Sequence, residues 1–78
     1  MDPRKQPGWK RLAAPGKPLD TYLHGEAVWI YTGAGWTSGT VEAVQECPGY
    51  FRVCVKCDAA HKGFVMAYDD RNICPKEP

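Results

Sequence analysis

No stretch of this chain holds the roughly 18 consecutive apolar residues that a membrane-crossing helix takes, and no segment keeps a helical period. A spanning helix and a helical bundle are therefore not expected. The first residues, MDPRKQPGWKRL, lack the apolar centre of a secretory signal, so the expected location is the cytoplasm, or the nucleus in a eukaryote. In such compartments the four cysteines are not expected to form stable disulfides. Histidine is scarce: His24 and His61 are the only two, and neither has a serine or cysteine partner at a nucleophilic spacing. Both read as exposed turn residues. Gly33-Ala34-Gly35-Trp36 has glycines but neither the helix nor the lysine of a phosphate-binding loop. Glu42 and Glu46 read as solvating carboxylates. Little here supports catalysis, and neither a cofactor nor a membrane partner is expected.

The length, 78 residues, allows one small domain. A domain of ~60 residues buries only about 60% of the surface its unfolded chain exposes. Function then belongs on a surface patch or between chains rather than in an internal cavity. Residues 1–20 contain four prolines and two glycines and show no periodicity, which predicts a flexible arm ahead of a folded body over 21–78. Charge divides the same way. Residues 1–18 carry five basic side chains against one acidic, a net +4, while residues 19–78 carry five against eight, a net −3. Arg4, Lys5, Lys10 and Arg11 around Trp9 combine charge with a stacking ring, a set suited to nucleic acid or another anionic partner. A merely solubilising arm fits the same residues. Trp9 and Leu12 are its main apolar anchors, able to pack on the body or on a partner.

From His24 onward the pattern is that of short strands. AVWIY over 27–31, TVEAV over 40–44, YFRVCVKC over 50–57, FVMAY over 64–68 and Ile73-Cys74-Pro75 read as strands, the first four separated by glycine- or proline-bearing turns. Asp69 to Asn72 resembles one helical turn. If Val28, Ile30, Val41, Phe51, Val53, Val55, Val65 and Ala67 face inward, alternation turns Trp29, Tyr31, Tyr50, Phe64, Met66 and Tyr68 outward. Trp36, in the loop YTGAGWTSG, is expected to join them. So much exposed apolar surface on a small domain predicts a protein partner or self-association.

Five short strands of this order resemble the SH3-like small barrel shared by Tudor, agenet and KOW modules. The motifs behind the resemblance are Gly25-Glu26-x-Val28, Gly35-Trp36 with Gly39-Thr40-Val41, and Tyr68-Asp69-Asp70 through Ile73, covering residues 24–75. It implies an all-β, five-stranded closed barrel. A Tudor-like member would form an aromatic cage for a methylated lysine or arginine, with Trp36 among its rings and Asp70 as a carboxylate aid. A KOW-like member would bind nucleic acid. Read structurally instead, Trp36 folds back as a lid on a small core while the arm covers Trp29.

A second likeness runs through Gly25-Glu26-x-Val28, Gly33-Ala34-Gly35-Trp36, Gly39-x-Val41 and His61-x-Gly63-x-Val65-x-x-Tyr68. It resembles the plasmid-borne type II dihydrofolate reductases, short chains whose SH3-like barrels assemble as a tetramer around a pore. That family reads its ligands with Val-Gln-Ile-Tyr, where this chain has Val65-Met66-Ala67-Tyr68. Ile30 stands in place of a substrate-steering lysine and Phe64 in place of a pore serine. Only Tyr68 remains of the pore set. A reaction that depends on positioning has lost its positioning groups. What carries over is assembly through Phe64, Met66 and Tyr68.

Cys54-x-x-Cys57-x-x-x-His61, with Cys47 and Cys74, offers enough ligands for tetrahedral zinc. Residues 54 and 57 of one strand, however, point to opposite faces, which favours separate small apolar thiols. The expectation is a non-catalytic module that binds through Trp29, Tyr31, Trp36, Phe64, Met66 and Tyr68.

Overall fold

The computed structural model describes residues 2–5 and 10–77. Five strands form one antiparallel sheet: β1 (Ala27–Tyr31), β2 (Trp36–Cys47), β3 (Tyr50–Cys57), β4 (Phe64–Ala67) and β5 (Ile73–Pro75). Their spatial order is β4-β3-β2-β1-β5. Among the described residues there is no α-helix; short 3₁₀ turns cover Pro3–Lys5, Leu19–Thr21 and Ala60–Lys62. The strands are rich in β-branched and aromatic residues, which suit a pleated, half-buried surface.

The turns follow local chemistry. Pro48 and Gly49 alone join β2 to β3, with Cys47 opposite Tyr50. Proline sets the first central φ, and Gly49 takes φ +81° at the second, the signature of a type II turn. Residues 69–72 close through bonds from the Asn72 N–H to the Asp69 carbonyl at 3.0 Å and from the Arg71 N–H to the Asp69 carboxylate at 2.9 Å, a turn where one helical turn was expected.

The second strand is far longer than the expected 40–44. It begins at Trp36, which pairs with Tyr31 across a four-residue loop. Thr32 closes that loop by donating from its N–H and its hydroxyl to the Gly35 carbonyl, at 2.8 and 2.9 Å. Trp36 is thus a strand residue rather than a loop residue. Further on, Val41 opposes Val55 and Ala43 opposes Cys54, leaving Glu42 as the extra residue of a β-bulge. The bulge bends the strand and resets its alternation, so Val41 before it and Val44 after it both reach the core.

Bending brings the two ends of the sheet over one core. Val28, Ile30, Val41, Val53, Val55, Ala67 and Ile73 are completely buried there, joined by Tyr22 and Cys57. Val28 and Ile30 of β1 and Val53 and Val55 of β3 face inward as the alternation implies, whereas Phe51, expected with them, is half-buried outside this core and borders a surface groove. Closure departs from expectation too. β4 and β5, four and three residues long, do not pair and remain the two edges of an open sheet, so the expected closed barrel is not formed. The core is completed by Tyr22 and the half-buried Leu19 instead.

Where the sheet folds on itself, Gly39 pairs with Val28 on one side and Cys57 on the other. A Cβ at this position would lie 2.5 Å from Val55 Cγ1 and 2.7 Å from the Lys56 carbonyl oxygen. Gly39→Ala is expected to destabilise the fold by about 2 kcal/mol, the usual scale of overpacking. A urea midpoint equal to that of the parent protein would refute the close approach.

Candidate functional site

The outward side chains predicted as one surface form two. On the β1 side, Trp29, Tyr31 and Trp36 share the outer face with Cys74 of β5, which stands opposite Trp29. Trp29 and Trp36 are only 7% and 6% exposed. Leu12 packs with them and with Cys74 in a second small cluster, and Tyr31 lies against its rim. The Tyr31 and Trp36 rings are tilted to one another with centroids 5.5 Å apart. These two tryptophans are therefore not available as an open binding face. The alternation was right, but the preceding chain covers what it turned outward.

Hydrogen bonds fix this cover. The Trp36 indole Nε1–H donates to the Lys10 carbonyl at 2.9 Å. The Leu12 N–H donates to the Arg71 carbonyl at 3.0 Å, and the Gly16 N–H to the Asp70 carbonyl at 3.2 Å. Arg11 forms an ion pair with Asp69. Arg4 is bound through its guanidinium to Asp2 and lies 4.3 Å from the centre of the Trp29 ring, while Lys76 Nζ stands 5.0 Å from that ring. Of the residues expected to meet an anionic partner, Arg4 and Arg11 are thus engaged within the chain. Lys5 and Lys10 are exposed, and Trp9 lies outside the described residues.

On the other side, the outer face of β3 and β4 is open. Phe64 and Tyr68 are 59% and 56% exposed, Tyr50 47% and Met66 37%. Met66 stands opposite Cys54, which in turn stands opposite Ala43, giving a continuous apolar row across three strands. This face belongs to an edge strand with no charged residue and no proline, features that usually protect an edge.

At one end of this face a shallow groove of about 340 Å³ is bordered by Leu19, Tyr50, Phe51, Tyr68, Asp69 and Asp70. The Tyr50 and Tyr68 rings are tilted at 47° with centroids 6.3 Å apart. The Arg71 N–H, and after it the Arg11 guanidinium, hold the Asp69 carboxyl below its ordinary range. Asp70 and Tyr68, both expected at a binding site, meet here. Trp36 is not among the lining residues; Tyr50, Phe51 and Asp69, which the site prediction left out, are. The signal for Tyr50 was its outward parity, but only the folded chain brings it beside Tyr68.

The thiols are dispersed. Cys57 faces the core and Cys54 the opposite side of the same strand, as their odd separation implies, while His61 lies exposed in the 60–62 turn. Among the described residues no three metal-ligating side chains gather. Ile30, aligned with a substrate-steering lysine in the reductase likeness, is wholly buried in the core. Set against known protein families, curated proteins and solved structures, the chain matches none.

Burial pushes the Cys74 thiol from its ordinary 9.0 up to about 11. Its folded value lies above its unfolded one, so its contribution is complete below pH 9 and is lost as the pH climbs towards 11. Urea unfolding across that interval is expected to show falling stability, with a shallower fall in Cys74→Ala. Burial pushes the phenol of Tyr22 up as well, so part of the decline persists. An unchanged slope in the variant would discount the thiol.

The cover itself is testable at Leu12, which is 6% exposed. Leu12→Ala is expected to cost about 2–3 kcal/mol, within the range for buried leucines. It should also speed labelling of Cys74 by a disulfide reagent when Cys47 and Cys54 are serine. Unaltered labelling would show that Leu12 does not shield the thiol.

Proposed function

We propose that this chain is a non-catalytic binding module built on an SH3-like small barrel, and that it acts by burying the outer face of β3 and β4 against a second copy of itself. The strand order, the bulge in the long second strand and the single core shared by β4 and β5 support the SH3-like reading. The observation that carries the functional reading is the exposure of Phe64 and Met66 on an uncharged edge strand, with exposed Tyr68 just past its end. Removing such surface from water contributes about 25 cal/mol per Å² before association costs are subtracted. A second copy brings the same apolar face and the same unpaired strand edge, the self-complementarity that a two-fold interface takes. Catalysis has no part in this reading. The basic arm serves first as cover for Trp29 and Trp36; its attraction for an anionic partner is secondary.

Light scattering over a range of concentrations tests the pairing. The parent chain is expected to show a mass above 8.7 kDa that rises with concentration. Met66→Lys, which places a charge in the middle of the apolar row, is expected to give a monomer. A parent chain monomeric at every concentration would reject pairing with a second copy.

A further inference from the structure

We infer that the outer surface of β1, beside the 69–72 turn, is a docking site for an extended segment of a partner protein, and that residues 10–16 are its resident occupant. The inference does not rest on the pairing of β4, which lies at the opposite edge of the sheet. Residues 10–16 are held as a bound peptide is held. The Leu12 side chain sits among Trp29, Trp36 and Cys74. The remaining contacts are mostly to backbone. The Trp36 indole N–H donates to the Lys10 carbonyl, and the Leu12 and Gly16 N–H groups donate to the carbonyls of Arg71 and Asp70. Arg11 meets Asp69, so segment and body also agree in charge. Main-chain bonds joined to one side-chain seat are a recurring way of recognising extended peptides.

These contacts define what fits. A basic residue precedes the leucine, and a glycine follows it at the place of Gly16, where a Cβ would lie 3.2 Å from the Ile73 carbonyl oxygen. Proline is excluded at both positions that donate an N–H. Between them the segment is read loosely, since Ala13, Ala14 and Pro15 are exposed. With Cys74 and Pro75 these three line a largely apolar cavity of about 500 Å³, which the two alanine methyls do not fill. A partner segment with larger apolar side chains at those two places buries area that the resident arm leaves in water, at about 25 cal/mol per Å². That difference lets it displace the arm. Leu12 is the only buried residue of 10–16, so this stretch opens at a lower free energy than the core. The partner is therefore a protein whose extended segment carries a basic residue, leucine, two larger apolar residues and a glycine in that order.

The test follows the Trp29 and Trp36 indole N–H signals by NMR. The receptor is the full chain with Leu12→Ala, which weakens the resident arm, and Met66→Lys, which keeps β4 pairing out of the readout. If that variant does not fold, Arg11→Glu, which sets a like charge beside Asp69, takes the place of Leu12→Ala. The probe is a capped peptide of residues 10–17, titrated at constant ionic strength. Saturable shifts are expected, largest at Trp36, with a midpoint roughly fivefold or more below that of the chain whose own arm is unaltered. Bound peptide should also slow the labelling of Cys74 that Leu12→Ala speeds. Within the peptide, Leu12→Ala and Gly16→Val should each weaken binding roughly fivefold or more. Ala13→Leu combined with Ala14→Leu should tighten it by about fivefold or more. Absence of saturable shifts, indifference to Leu12→Ala in the peptide, or no gain from the two added leucines would overturn the docking site.

Discussion

Leu12 lies across Trp29, Trp36 and Cys74, and this contact decides which outward surface of the sheet stays in water. A single curled sheet has two faces, and a chain this small has one core to offer. The concave face is filled by valines and isoleucines. The convex face is apolar along β1 and again along β4, and among the described residues only the first of these has a cover from its own chain. Covering two tryptophans removes much apolar area from water at the cost of ordering a proline-containing segment whose freedom is already restricted. Polar contacts then hold the segment in register: the indole bond to Lys10 and the backbone bonds to Arg71 and Asp70.

That division gives the basic residues a role their composition does not announce. Arg4 and Arg11 read in the sequence as hands held out to an anion. In the folded chain Arg4 lies over Trp29 and Arg11 meets Asp69, so both tie the cover to the acidic body. Each contact is solvent-exposed and individually weak. Their value lies in closing a segment whose buried residues, among those described, are Pro3 and Leu12.

The β3 and β4 face has no such provision. A long second strand, bent at Glu42, carries the sheet around its core and leaves β4 on the edge with its phenylalanine and methionine outward. The turn that follows sets Tyr68 and two aspartates beside Tyr50 at the start of β3. An apolar row and a groove bordered by two aspartates therefore adjoin on one side of the molecule.

Period-two alternation in AVWIY and YFRVCVKC determined the strands, their inward faces and the separation of Cys54 from Cys57, because a strand's geometry depends only on neighbours along the chain. Pro48-Gly49 likewise specified its turn by its own dihedral preferences. Trp36 was misread as a loop residue because its pairing with Tyr31 is a cross-strand fact, and the length of β2 followed it. The bulge at Glu42 has no signature in residue type. Nor could alternation say that Trp29 is hidden and Phe64 exposed: both point outward, and the difference is a leucine 17 residues upstream of Trp29. Whether a side chain turns out is local, and the sequence settles it. What then meets that side chain depends on contacts between distant segments, and these exist only once the chain has folded.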